Sequence, residues 1–109
     1  MVERESARTL RWRIMVGIGA DGDGRVLNPI MSKQSVIAIA NQNLTSFSVT
    51  DGFGVWNGQE EPSLVVEVIG WWEDRDAVHK VAALICKQLN QEEVWITEEK
   101  VKLTRYCRT

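Results

Sequence analysis

LRWRIMVGIGADGDG, Leu10 to Gly24, decides how this chain is read. In its first half Leu10, Trp12, Ile14, Val16 and Ile18 alternate with Arg11, Arg13, Met15 and Gly17. A period of two is what a strand shows when one face meets a core, so the spacing predicts a strand over residues 10–18 with Trp12 on its buried side. The second half holds Gly17-x-Gly19-x-x-Gly22, a literal match to the dinucleotide-binding fingerprint. In that fingerprint the third glycine opens a helix facing the pyrophosphate, and an acid about 20 residues further on holds the ribose. Here Gly22 leads into Asp23-Gly-Arg25-Val26, the next helix signal is Asn28-Pro29, and no acid lies between Asp23 and Asp51. Asp21 and Asp23 would also meet the phosphates with like charge. The stretch reads as a strand running into a flexible glycine-rich turn. Asp21-x-Asp23 starts like a calcium loop, but Arg25 stands at the third ligand position and no closing glutamate follows. No cofactor and no metal are expected.

Outward from this strand the elements follow in turn. Asn28 is placed to cap and Pro29 to open a helix over about 30–42, with Ile30, Ile37 and Leu44 at heptad spacing and Ala40 between them. Phe47 and Val49 share one face of a segment reaching Thr50. After the turn Asp51-Gly-Phe-Gly54 come Val55-Trp56, the hairpin signal Asn57-Gly58, and a strand from Leu64 to Trp71. That strand is apolar on both faces except for Glu67, which predicts a central position. Asp74 or Asp76 precedes the strongest helical stripe, Ala77, Val78, Val81, Leu84, Ile85 and Leu89, which Asn90 ends. Val94–Ile96 and Val101–Leu103 read as two short strands about Thr97-Glu-Glu-Lys100.

The order β, α, β, β, α, β, with an extra strand at the end, resembles the split-βαβ or ferredoxin-like architecture over residues 10–106. The resemblance implies an α+β fold, an antiparallel sheet of 4–5 strands with two helices on one face. Thr50, Gly54 and Trp56 in a hairpin, with Gln91 before Val94, are similar to a family of small uncharacterised bacterial α+β proteins. That likeness implies no catalytic residue. The architecture hosts many functions, so function has to be argued from the residues.

The 109 residues suit one domain, 1–109, with 1–9 expected as a loose N-terminal segment. Apolar residues make up 44% and charged residues 26%, ordinary globular values that suggest neither a disordered nor a membrane-embedded class. No signal peptide is legible, so the protein is expected in the cytoplasm with Cys86 and Cys107 as free thiols. The net charge of −2 conceals a segregation. Asp51, Glu60, Glu61, Glu67, Glu73, Asp74 and Asp76 are opposed only by Arg75, whereas both ends of the chain are basic.

No catalytic constellation is legible. His79 is the only histidine, and Cys86 lies two helical turns, about 10.5 Å, away. Glu60 and Glu61, as neighbours before Pro62, point apart in a solvated loop rather than across a substrate. The tryptophans say more. Trp71 and Trp72 are consecutive and cannot both enter one core. Trp56, Trp71 and Trp72 lie in the segment carrying Glu60, Glu61, Glu67 and Glu73, the residue types of a site for a small, partly apolar or cationic organic ligand. The expected function is non-catalytic small-molecule binding. The alternative is a structural or protein-interaction module, a homodimer or higher oligomer whose tryptophan surface meets another copy or a partner protein. Arg11 and Arg13 beside Lys100, Lys102 or Arg105 would form an anion strip on the open sheet face. An RNA-recognition motif is lacking and the pI is near 5.4, so nucleic acid is not an expected partner.

Overall fold

The computed structural model describes residues 1–108. The elements follow in the order β1 (Val2–Gly17), α1 (Pro29–Asn43), β2 (Ser48–Trp56), β3 (Gln59–Trp71), α2 (Arg75–Gln88) and β4 (Trp95–Cys107), with a short 3-10 turn, Trp72–Asp74, before α2. The four strands form one sheet in the order β2-β3-β1-β4, every neighbouring pair antiparallel. This is the ferredoxin-like order: β1 and β3 sit centrally, and the apolar run of β3 is flanked on both sides, as its composition requires.

The alternation in β1 sets the two faces. Leu10, Trp12, Ile14 and Val16 join Leu64, Val66 and Val68 of β3, and both helices close over them with Val36, Ile39, Val78, Val81 and Ile85. Trp12 is fully buried. Its indole N–H donates to Glu98 at 2.7 Å, so the largest core residue leaves no unmet polar atom. Glu98 in turn accepts from Arg75 at 2.7 and 3.0 Å, tying β4 to the start of α2. The Arg75 guanidinium, and after it the Trp12 N–H, holds the Glu98 carboxyl below its ordinary range.

Three expectations are corrected. Residues 2–9 are not loose: they continue β1 and pair with β4 from Val2 opposite Cys107 onward. The two late short strands are one strand, because each charged residue read as a turn has a partner across it. Glu98 lies opposite Trp12 and Glu99 opposite Arg11. In α1 the buried side is Ser32, Val36, Ile39 and Ala40, whereas Ile30 is 72% exposed. Small residues at 32 and 40 leave room for close packing, a tertiary preference that heptad counting does not weigh. The local signals at the ends hold: Asn28 Oδ1 accepts from the Ile30 and Met31 N–H groups, and the hairpin turns at Asn57 and Gly58, both with positive φ.

Candidate functional site

The helices cover one sheet face, and the other carries Arg11, Arg13, Met15 and Gly17 of β1 with Val65, Glu67, Ile69 and Trp71 of β3. In the middle of this open face the charges pair among themselves: Arg11 with Glu99, and Arg13 with Glu67 at 3.0 Å. The anion strip imagined for Arg11 and Arg13 is thereby neutralised. Among the described residues a concavity opens at each end of this face.

The larger lies where β1 runs out. Beyond Gly17 the Ile18 N–H donates to the Pro62 carbonyl, and the loop folds back with Leu27 N–H on the Gly19 carbonyl. Glu61, expected in a solvated loop, instead reaches across β1. Its carboxylate accepts from the Gly19 N–H at 3.0 Å and the Ala20 N–H at 3.1 Å. A Cβ on Gly17 would strike that carboxylate, and one on Gly19 would lie 2.8 Å from the Glu61 Cβ. The first two glycines of the fingerprint thus admit a glutamate side chain of the same chain, and the Gly19 and Ala20 N–H donors serve its charge in place of a phosphate. Gly22 has a different neighbour: its N–H donates to the Asn90 carbonyl, which leaves a Cβ there only 3.0 Å from that oxygen.

The turn is also tied to the segment after α2. The Gln91 amide donates to the Ala20 carbonyl at 3.0 Å and the Asn90 amide to Asp23 at 2.9 Å. Cys86 Sγ donates to the Gln91 carbonyl at 3.2 Å, which gives this thiol a packing role. Asp21 receives the N–H groups of Arg25 and Asp23, and the Arg25 bond chiefly holds its carboxyl below the ordinary range. The turn read as flexible is thus held at many points.

Across the hairpin, Trp56 lies against Gly54 and meets Trp95 edge to face, with ring centroids 5.3 Å apart and planes at 87°. The Trp56 indole N–H is buried and has no hydrogen-bond partner. Loop, hairpin and the start of β4 together enclose a cleft of about 640 Å³, in which Asp21, Glu60, Glu61, Glu92 and Glu93 surround Trp56 and Trp95 and no lining residue is basic.

Of the residues expected to share a site, Trp56, Glu60 and Glu61 come together in this cleft. Trp71 lies in the other concavity, Glu67 is paired in mid-sheet, and Trp72 and Glu73 sit in the 3-10 turn and line neither. Trp71 and Trp72 are both exposed, at 51% and 60%. Trp95, Glu92 and Glu93 are not among the residues that the sequence points to for a site. The Asn-Gly hairpin held a clue, since it returns Glu60 and Glu61 past the strand that carries Trp56.

No protein-family model and no curated protein matches the sequence. Solved structures do. A phage SAM lyase in complex with S-methyl-5'-thioadenosine superposes with a TM-score of 0.70 at 21% identity, over 98% of this chain and 96% of that one. A DUF3240 family protein from Shewanella baltica follows at 0.59 and 12%, over 88% and 91%. CutA from Synechococcus elongatus stands at 0.54 and 13%, over 95% and 85%. At such identities the likeness establishes the shared α+β fold.

Proposed function

We propose that the cleft binds a small organic cation with an aromatic body, an adenosyl sulfonium of the S-adenosylmethionine type. The observation that carries this reading is two tryptophans in edge contact inside a wall of carboxylates, with no basic lining residue. A sulfonium offers no hydrogen to donate, so it is recognised by charge and by aromatic faces, which are what the cleft supplies. The Gly19 and Ala20 donors of the glycine turn are taken by Glu61 and that of Gly22 by the Asn90 carbonyl, which suits a nucleoside that carries no phosphate. The full-length likeness to a phage SAM lyase holding S-methyl-5'-thioadenosine supports the same class.

That likeness also favours a second, sharper reading, turnover. Breaking the bond from the sulfonium to its four-carbon amino-acid chain returns the electron pair to sulfur and leaves neutral S-methyl-5'-thioadenosine. The chain's carbon is then satisfied by its own carboxylate oxygen closing a ring. Positive charge disappears from sulfur along this path, so carboxylates that hold the cation stabilise the ground state more than the transition state. Acceleration would come from the apolar tryptophan faces and from holding the chain folded for ring closure.

Calorimetric titration tests the binding. S-adenosylmethionine should bind more tightly than S-methyl-5'-thioadenosine, and ATP should fail to compete. Trp56→Ala should weaken the cation by roughly 2- to 30-fold. Equal affinity for the charged and neutral nucleosides would remove the cation from the reading. Chromatography of the incubated mixture for S-methyl-5'-thioadenosine tests turnover.

Self-association rests on Trp72, which is exposed beside Glu73 and lines neither concavity. Sedimentation over a concentration range, with Trp72→Ala as control, decides it. Among the described residues no helix is long and apolar enough to cross a membrane. Cys86 and Cys107 are free thiols, which fits a reducing compartment.

A further inference from the structure

The second concavity, about 410 Å³, lies at the end of the open face away from the cleft. It exists because of an irregularity in β1. Between Ser6 and Thr9 the register against β4 slips: Ser6 pairs with Leu103 and Thr9 with Val101, so three steps on one strand oppose two on the other. Such a bulge reverses which side chains share a face. Arg4 and Ser6 consequently stand on the same face as Thr9 and Arg11, whereas unbroken alternation would turn them to the helix side.

The result is an unusual pair. Arg4 and Arg105 are direct cross-strand partners, and both line the concavity. Like charges in that position destabilise a sheet. The other open-face arginines, Arg11 and Arg13, each have a carboxylate, but among the described residues neither Arg4 nor Arg105 forms an ion pair. Glu5, at the rim, is already engaged by Lys102 at 3.4 Å. Thr9, at the floor, is 3% exposed, and its hydroxyl has no hydrogen-bond partner, which is uncommon for a buried polar atom. Opposite Thr9 stands Trp71, its backbone N–H anchored on Asp74 at 2.8 Å, with Ile69 and Leu103 completing an apolar wall.

We propose that this concavity is a second ligand site, for an oxyanion carried on an aromatic body, a carboxylate or phosphate monoester. The arginine pair grips the oxyanion, since two planar guanidinium groups offer the forked donors that such oxygens accept, and the indole of Trp71 packs against the ring. The site is independent of the cleft and stands whether or not the cleft binds a sulfonium.

The test is calorimetry of the full chain with phenyl phosphate and with inorganic phosphate, at low and at moderate salt. Phenyl phosphate should bind saturably, more weakly as salt rises, and more tightly than inorganic phosphate. The double variant Arg4→Gln, Arg105→Gln should lose about tenfold or more in affinity and, freed of the like-charge pair, should melt no lower than the parent without ligand. Trp71→Ala should erase the advantage of phenyl phosphate over inorganic phosphate. No saturable binding, or binding untouched by the double variant, overturns the site. So does an oligomer that the double variant dissociates, because the arginines would then be meeting carboxylates of another copy.

Discussion

At one end of the open face, carboxylates crowd two tryptophans presented by a hairpin and by the start of a strand; at the other, two arginines stand side by side on paired strands. The acidic end is assembled from strand ends and the loops beside them, and its shape is held by hydrogen bonds such as that from Gly19 N–H to Glu61, 42 residues away in sequence. The basic end is assembled from strand residues alone, and its shape is held by register and one bulge. Charge is thus placed by two unrelated means on one sheet. The shape held by loop ties should fail when a single tie is cut, whereas the shape held by strand register should fail only when the sheet does.

Removing the support common to both should have the largest effect. Trp12→Ala empties the centre of the core beneath both sites, and urea denaturation should show a loss of about 3–5 kcal/mol, with both sites weakened together. Retention of either site's affinity in that variant would show that it does not depend on the sheet. Glu61→Ala separates the two. The Gly19 and Ala20 N–H groups lose their acceptor, stability should fall by about 1–3 kcal/mol, and cleft binding should go while phenyl phosphate binding stays. If both affinities fall equally, the ends are coupled and the comparison breaks.

Acid provides the finest discrimination. The Glu98 carboxyl is held down by Arg75 and Trp12, so its contribution is present above the ordinary carboxylate value of 4.5 and is lost as pH falls through its lower folded value. Thermal melts should therefore lose stability on the acid side, and Glu98→Gln should flatten that limb. Asp21, held below 3.8 mainly by the Arg25 N–H, should likewise keep the turn in place until the pH drops under that value. Asp21→Asn should slightly weaken cleft binding at neutral pH and leave the basic end unchanged in the same titration.

Signals carried by a few adjacent residues were legible in the chain. The alternation around Trp12, the Asn28-Pro29 cap, the Asn57-Gly58 hairpin and the apolar stripe of α2 each express a backbone period or a turn preference that needs no distant partner. From them followed the ferredoxin-like order and a central β3. Of the site residues read from the sequence, only Trp56, Glu60 and Glu61 line the cleft together, because the hairpin alone brings them near each other. The continuity of β4 through Thr97-Glu-Glu-Lys100 was not, since charged residues look like a turn until Trp12, Arg11 and Arg75 supply their partners. The purpose of Gly17 and Gly19 was hidden for the same reason. A glycine in sequence says that something passes close, and only the folded chain says that it is Glu61. Local pattern is set by the geometry of neighbouring residues, so the sequence by itself determined which elements form and in what order. Which charges are neutralised, which face α1 buries and where the two concavities open depend on contacts between residues far apart, and those were decided only when register, bulge and loop ties brought the residues together.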